Sequence, residues 1–182
     1  LATLICHGPA GLDANHIPFL LANEPTPNGK LQGHIARANP LCKAGETLDD
    51  VLVIFQGAER YISPSNYATK AEHGKVVPTW NYTAVHAYGR LRLIDDAAWV
   101  FAQISALTAT HEARLPLPWA VSDAPTDYIE KMLGAIVGIE ITIDRLIGKW
   151  KVSQNQPPAN QASLIDALDG QPMADLIRQR QQ

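Results

Sequence analysis

The chain has 182 residues, of which 46% are hydrophobic and 18% are charged, and its formal net charge at pH 7 is −3. This length and apolar content are sufficient for a buried core and predict one main folded domain. The negative charge disfavours a surface designed for nucleic acid, because such surfaces carry a clear excess of basic residues.

The cysteines and histidines indicate whether disulfides or a metal site are expected. The two cysteines, Cys6 and Cys42, are far apart, and no histidine has zinc-motif spacing, so we expect neither a disulfide framework nor a metal site. No apolar run approaches the roughly 20 residues of a membrane span, and no signal-peptide pattern is present. These features predict a cytoplasmic protein. Because the chain opens with an apolar run that lacks methionine, we also expect that an upstream segment is missing.

The first half of the chain predicts β-strands. Apolar residues 1–6 and 17–21 flank a turn-rich segment and favour a hairpin, and residues 24–30 have the composition of a further turn. Residues 31–36 alternate with a period of two, and the β-branched run at 51–55 is typical of a buried strand.

The second half of the chain predicts a strand, then two helices, and then a final strand. Residues 84–94 alternate apolar and polar side chains. A helix is predicted after Asp95 or Asp96, and a second helix after Pro125. The first has apolar residues at Val100, Ile104 and Leu107, and the second at Ile129, Met132, Leu133 and Ile136. A final strand is predicted over 138–143, continuing toward Trp150.

This order of elements predicts an α+β fold in which a small antiparallel barrel is accompanied by packing helices. The polar, proline-containing segment from 153 to 163 has the composition of a linker, and a short helix is predicted from Ser163. We therefore divide the chain into a domain over 1–155 and a linker with a C-terminal helical tail over 156–182.

The segment from Tyr61 to Tyr82 has the composition of a ligand site. Its hydroxyl-bearing side chains and Lys70 are the donors that a phosphate dianion requires. They include Ser63, Ser65, Tyr67 and Thr69. Downstream, Trp80 and Tyr82 flank Asn81, and together they suit a planar heteroaromatic ring. Residues 60–92 contain five basic and one acidic residue, a local charge of +4. The pattern predicts a nucleotide-like ligand. The same hydroxyls could instead cap a turn, and the aromatic residues could instead belong to a core.

Several long blocks of the chain resemble the PaiB-type proteins, known as FMN-binding negative transcriptional regulators with a split-barrel fold. The blocks are ANHIPFLL at 14–21, GHIARANP at 33–40, ISPSNYATKAEHGKVVPTWNY within 62–82, PWAVSDAPTDYIEKML within 118–133 and GKWKVSQN at 148–155. The resemblance covers about residues 1–155.

The resemblance implies a cofactor and assigns site residues. It implies FMN bound in a split barrel, with the flavin phosphate held by Arg37, Ser63, Ser65 and Lys70. It also implies that the stretch from Thr79 through Trp80 and Asn81 to Tyr82 sets the electronics of the flavin ring. Lys149, Trp150 and Lys151 resemble the basic and aromatic residues that reach the flavin from the partner subunit in split-barrel dimers, and of these we assign Lys149 and Trp150 to the site. A Trp packed beneath exposed lysines is the alternative interpretation.

The resemblance leaves two functions open. One is a regulator that responds to flavin or redox state, and the other is a flavin-dependent oxidoreductase that acts on a small molecule. We expect a homodimer with flavin at the interface. We expect little direct DNA binding, because the basic cluster is already explained by a phosphate site.

Overall fold

The computed structural model describes residues 1–8, 11–22, 26–43 and 45–180. Within them the chain forms seven β-strands and five α-helices. The strands are β1 (Ala2–Gly8), β2 (Gly11–Ile17), β3 (Leu20–Ala22), β4 (Lys30–Ala36), β5 (Thr47–Ile62), β6 (Thr79–Ile94) and β7 (Ile136–Lys151). The helices are α1 (Lys70–His73), α2 (Ala97–Glu112), α3 (Thr126–Leu133), α4 (Pro158–Ala167) and α5 (Pro172–Arg180).

The strands form one sheet in the order β2-β1-β5-β6-β7-β4-β3. β1 and β2 form an antiparallel hairpin, with register from Ala2↔Ile17 to Gly8↔Gly11. The predicted partner strand over 17–21 was wrong, because Ile17 is the last residue of β2, whereas Leu20 and Leu21 belong to β3, which pairs with β4. Most of β2 is exposed, so backbone pairing with β1 creates this strand without an apolar pattern. The predicted turn over 24–30 lies partly outside the described residues.

The three long strands β5, β6 and β7 have 16 residues each. Sequence patterns detected only part of each, at 51–55, 84–94 and 138–143. These parts carry the regular apolar side chains, whereas the remainder of β5 is mostly exposed. Strand pairing therefore extends beyond the hydrophobic signal that predicts it.

The described residues divide into two compact units. Unit 1 contains residues 1–55 and 86–146, and unit 2 contains residues 56–85 and 147–182. Each of the three long strands contributes residues to both units. The domain boundary that we placed at residue 155 stays a prediction.

The core of unit 1 is formed by strand residues such as Leu4, Val53 and Ile139. Helix α2 begins where predicted, because the Asp96 carboxylate accepts a hydrogen bond from the Trp99 N–H at 2.9 Å. The Trp99 ring lies over β7 at Gly138, where a Cβ atom would overlap the ring. A glycine at this position allows the helix to approach the sheet.

The prediction for the second helix was wrong in part. Helix α3 ends at Leu133, and Ile136 begins β7. None of the residues of α3 is buried, although we expected its apolar stripe to be covered. The spacing of Ile136 from Ile129 fits a helical period, so the sequence pattern included Ile136 in the helix. An apolar residue is equally suited to a strand, and the pattern therefore did not mark the end of the helix.

The core of unit 2 is formed largely by the two C-terminal helices. Leu164 of α4, Leu168 just after that helix and Ile177 of α5 pack with Ile62 and Val152. The structure thus has two helices where the sequence predicted a linker and one short helix. The helix α4 begins at Pro158, which is tolerated in the first turn because no intrahelical N–H is lost there.

We predict that Leu164→Ala lowers the free energy of unfolding by about 2–5 kcal/mol, because the side chain is 0% exposed and its removal leaves a cavity. The measurement is chemical denaturation followed by circular dichroism. Leu117→Ala is the matched control, since Leu117 is 90% exposed, and it should change stability by less than about 0.5 kcal/mol. Equal effects of the two substitutions would show that α4 is dispensable.

Candidate functional site

The predicted site residues are distributed unequally between the two units. Nine of the ten lie in unit 2, and Arg37 lies in unit 1. The nine are Ser63, Ser65, Lys70, Thr79, Trp80, Asn81, Tyr82, Lys149 and Trp150. They occupy the segment after β5, the start of β6 and the end of β7.

The segment after β5 begins with a 3₁₀ turn over Pro64–Asn66. The Ser63 hydroxyl caps this turn by accepting a hydrogen bond from the Ser65 N–H at 3.2 Å. The Lys70 ammonium donates to the Ser65 hydroxyl at 3.1 Å. The structure therefore brings Ser65 and Lys70 together on an exposed surface, and it gives Ser63 the turn-capping contact that the sequence left open as an alternative.

Along β6 the side chains alternate, which separates residues that the sequence grouped. Trp80 is 54% exposed, whereas Asn81 is 0% exposed. Trp80 and Tyr82 share one face of the strand, and Thr79 and Asn81 share the other. Trp80 makes an edge-to-face contact with Tyr61, with ring centroids 5.9 Å apart. The aromatic residues thus form an exposed surface of unit 2.

The opposite face of β6 is bound to the end of β7 by polar side chains. The Lys151 ammonium donates to the Thr79 hydroxyl at 2.8 Å. The Asn81 amide donates to the Ser153 hydroxyl at 2.9 Å, and that hydroxyl also lies 3.1 Å from the Asn81 carbonyl oxygen. Ser153 has a φ of 60°, an unusual value for a non-glycine residue, and the Asn81 contacts help to hold it there.

These residues surround a cleft of about 170 Å³ in unit 2. Its polar lining consists of Tyr67, Thr79, Asn81, Lys151, Ser153, Asn155 and Gln156. Tyr67 is 4% exposed, and its hydroxyl has no hydrogen-bond partner in the described structure. Burial raises the pKa of Tyr67, and the nearby Ser153 hydroxyl offsets this in part. The Ser153 hydroxyl itself donates to the Asn81 carbonyl oxygen at 3.1 Å.

Lys151 was grouped with Lys149 and Trp150 from the resemblance, but it was not assigned to the cofactor site. The signal that identifies it is the contact with Thr79, which joins positions 72 residues apart in the chain. Lys149 and Trp150 themselves are exposed at the end of β7. Their predicted role at a partner's flavin stays a prediction.

Arg37 is engaged within unit 1. Its guanidinium donates two hydrogen bonds to the Asp95 carboxylate, at 2.8 and 2.6 Å, and one to the Gly134 carbonyl at 2.9 Å. The hydrogen bond with Asp95 raises the pKa of Arg37, and the reciprocal contact lowers the pKa of Asp95. Contact with a phosphate would require Arg37 to exchange the Asp95 carboxylate for the ligand. Its role as a phosphate ligand stays a prediction.

Unit 1 also contains a buried carboxylate, Glu140, on β7. Glu140 is 5% exposed, and its oxygens accept hydrogen bonds from Lys30 at 3.2 Å, Gln32 at 3.1 Å and Arg92 at 3.1 Å. Burial alone would raise the pKa of Glu140. The hydrogen bonds from Gln32 and Lys30 and the charges of Lys30 and Arg92 outweigh burial, so the pKa is lowered.

The described part of the chain contains no group of three or more His, Cys, Asp or Glu residues that could hold a metal ion. Among the helices of residues 1–8, 11–22, 26–43 and 45–180, none combines the length and the apolar character needed to cross a bilayer.

Comparison with known proteins identifies the family. Residues 1–145 match the family described as "Putative FMN-binding domain". An uncharacterized protein of Emericella nidulans is 37% identical over 206 residues, which cover 93% of this chain and 82% of the relative. The protease synthase and sporulation protein PAI 2 of Bacillus subtilis is 30% identical over 158 residues, which cover 87% of this chain and 73% of that protein.

Two solved structures share the fold. The flavocytochrome Anf3 from Azotobacter vinelandii aligns with a TM-score of 0.54 and 19% identity over 83% of this chain and 61% of its own. The FAD and heme binding protein from Mycobacterium smegmatis aligns with a TM-score of 0.53 and 17% identity, over 82% of this chain and 64% of its own. The chain thus spans less than two thirds of either structure, and at these identities the likeness concerns the fold alone.

The fold is an α+β split barrel with packing helices, of the flavin-binding class. The chain belongs to the PaiB-type FMN-binding family. Both the predicted fold and the resemblance read from the sequence motifs are confirmed.

We predict that Glu140 makes stability depend on acidic pH. Because the folded-state pKa lies below the ordinary value of about 4.3, its stabilising contribution is present above that pH and is lost as the pH falls through the lowered value. Glu140→Gln should lower the unfolding free energy at pH 7 by about 1–3 kcal/mol, because it leaves Lys30 and Arg92 without their carboxylate.

Thermal denaturation between pH 3 and pH 7 measures this effect. The wild type should lose more stability below pH 4.3 than Glu140→Gln does. Asp127→Asn, on the exposed surface of α3, is the control and should follow the wild-type profile. Parallel profiles for the wild type and Glu140→Gln would contradict the prediction.

Proposed function

We propose that this protein is a cytoplasmic homodimer that binds FMN and acts as a regulator responsive to flavin or redox state. The observation that supports FMN most directly is the arrangement of unit 2. Hydroxyl side chains and the Lys151 ammonium line a cleft at the start of β6 and the end of β7, and the aromatic side chains of Trp80 and Tyr82 are exposed on the other face of β6. FMN has a phosphate group, which hydroxyl and ammonium donors can bind, and a flavin ring, which aromatic side chains can contact. The matched family description names FMN as its ligand.

The size of the cleft supports a site shared between two subunits. A pocket that encloses a small-molecule ligand usually has a volume of about 300–1,000 Å³, whereas the cleft in unit 2 has about 170 Å³. It suits one end of a flavin. The exposed side chains of Tyr61, Trp80, Tyr82 and Trp150 offer an apolar surface against which a second copy would enclose the ring.

Two roles for the bound flavin follow from different observations. The PAI 2 relative carries a name that refers to protease synthase and sporulation, and it favours regulation of cellular processes. The second candidate is a flavin-dependent oxidoreductase acting on a small molecule. Acidic residues on α2 and α3 disfavour contact with DNA phosphates, namely Glu112, Asp127 and Glu130. A surface that disfavours DNA supports an enzyme over a regulator that binds DNA directly.

The experiment that tests FMN binding also tests the dimer. The pure protein should bind FMN with a shifted flavin absorbance spectrum, and sedimentation should give the mass of two chains. Tyr61→Glu places a charge on the apolar surface, so we predict that it weakens both the dimer and FMN binding about ten-fold or more.

Tyr128→Glu is the matched control, because Tyr128 is exposed to a similar extent, 55% against 48% for Tyr61, but lies on α3 in unit 1. It should leave the mass and FMN binding unchanged. A monomer that binds FMN as tightly as the dimer would contradict a shared site.

We predict that the flavin-loaded protein has little affinity for DNA at physiological salt, so that regulation is indirect or needs a partner. The chain has a net charge of −3, and two of the five basic residues in 60–92 are paired with carboxylates, Arg90 with Asp144 and Arg92 with Glu140. Titration into labelled promoter DNA measures the affinity. Sub-micromolar, sequence-dependent binding that falls steeply with added salt would contradict this prediction.

A further inference from the structure

We propose that a cavity in unit 1 binds an α-amino acid, whose carboxylate is held by Arg90 and Arg92 and whose ammonium is held by Asp49. The cavity has a volume of about 460 Å³, within the range of about 300–1,000 Å³ that is usual for small-molecule sites. Its described lining contains no residue that we assign to the flavin, so this inference goes beyond the proposed function and does not depend on it. The lining consists of Lys30, Thr47, Asp49, Arg90, Leu91, Arg92, Glu140 and Thr142.

The cavity lies on the face of the sheet that is turned away from the core of unit 1. Its lining comes from β5, β6, β7 and β4, which are neighbours in the sheet. Leu91 belongs to the core, so the alternation of side chains along β6 places Arg90 and Arg92 on the opposite face. Lys30 pairs with Thr142 in the register of β4 with β7, and paired residues share a face. Four strands thus bring charged side chains from distant parts of the chain to one place.

The positive charge of this cavity is held in place by Glu140. One oxygen of its carboxylate, Oε1, accepts hydrogen bonds from the Lys30 ammonium at 3.2 Å and from the Arg92 guanidinium at 3.1 Å. Two cations meet one carboxylate, which leaves a net charge of +1 in this group. Arg92 makes this contact through its Nη2 atom, whereas a guanidinium has five N–H donors. Donors therefore remain for an anionic group of a ligand.

Arg90 supplies a second set of donors. Its Nε atom lies 3.5 Å from the Asp144 carboxylate, and both side chains are exposed. In the described part of the chain, the terminal nitrogens of Arg90 make no hydrogen bond. The parallel N–H groups of an arginine match the two oxygens of a carboxylate. Arg90 and Arg92 together can therefore bind the carboxylate of a ligand.

Asp49 supplies a negative charge to the same cavity. It is exposed on β5, the strand beside β6, and among the described residues it forms no hydrogen bond or ion pair. Arg90 and Arg92 are paired with carboxylates of β7 instead. A simple anion would be repelled by Asp49, and a simple cation would be repelled by the arginines. A ligand that carries both charges satisfies both groups.

The remaining lining residues restrict the side chain of the ligand. Thr47 and Thr142 contribute hydroxyl groups, which donate and accept hydrogen bonds. Leu91 is the one apolar residue in the described lining, and it is 1% exposed. The cavity therefore offers almost no apolar surface. An amino acid with a short or polar side chain suits it better than one with a large apolar side chain, because burial of apolar surface would contribute little to binding.

Calorimetric titration with each of the standard L-α-amino acids tests the class of ligand. At least one amino acid with a short or polar side chain should bind. For that amino acid, the analogue without the ammonium and the analogue without the carboxylate should each bind about ten-fold more weakly or worse, because each loses hydrogen bonds between charged groups. Absence of binding by every amino acid would overturn the proposal, and so would equal affinity for an amino acid and its analogue without the ammonium.

Two substitutions test the assigned residues. Arg90→Met should weaken binding of the amino acid about ten-fold or more. Asp49→Asn should weaken it to a similar extent but should not weaken binding of the analogue without the ammonium, because it removes only the partner of that group. The controls are Arg114→Met and Asp127→Asn, which remove the same charges from exposed positions of unit 1 outside the cavity. Both controls should bind the amino acid as the wild type does.

The melting temperature of the ligand-free protein separates a loss of binding from a loss of folding. Asp49 is exposed and has no partner among the described residues, so Asp49→Asn should melt within a few degrees of the wild type. A loss of affinity in this folded variant then reports on the cavity itself. Wild-type affinity in Asp49→Asn or in Arg90→Met would contradict the proposed site.

Discussion

The buried contact between Asn81 and Ser153 is the interaction on which the organisation of unit 2 depends. It joins the start of β6 to the residues just beyond the end of β7, and both partners are withdrawn from solvent. A buried amide that lost this partner would be left unsatisfied, at a cost of about 1–3 kcal/mol. The contact therefore fixes the face of β6 that lines the cleft and leaves Trp80 and Tyr82 on the exposed face.

The C-terminal helices support the same region. The Asn160 side chain of α4 accepts a hydrogen bond from the Thr69 N–H at 3.0 Å, and the Ser163 hydroxyl accepts one from the Ala68 N–H at 3.1 Å. These bonds hold the segment between Tyr67 and Lys70, whose backbone groups belong to no strand. A segment that looked like a tail from its composition thus positions a residue of the cleft, and Leu164 and Leu168 supply the apolar packing beneath it.

Charged side chains are arranged differently in two clusters of unit 1 and in the cleft of unit 2. Glu140 is surrounded by Lys30, Gln32 and Arg92 within the strands, and Arg37 pairs with Asp95 beside the start of α2. In both clusters the opposite charges satisfy one another. In the cleft of unit 2, Lys151 donates to the Thr79 hydroxyl, and no carboxylate is among the lining residues.

The sequence by itself determined the family, the α+β class and the positions of most strands and of α2, because long motifs, alternation and the Asp96 cap are local properties. It also located nine of ten predicted site residues in what proved to be one unit. Only the tertiary structure decided which side of β6 each residue faces, that Lys151 meets Thr79, and that Tyr67 is buried without a partner. These facts depend on the pairing of positions some 70 residues apart, which no local pattern in one sequence encodes.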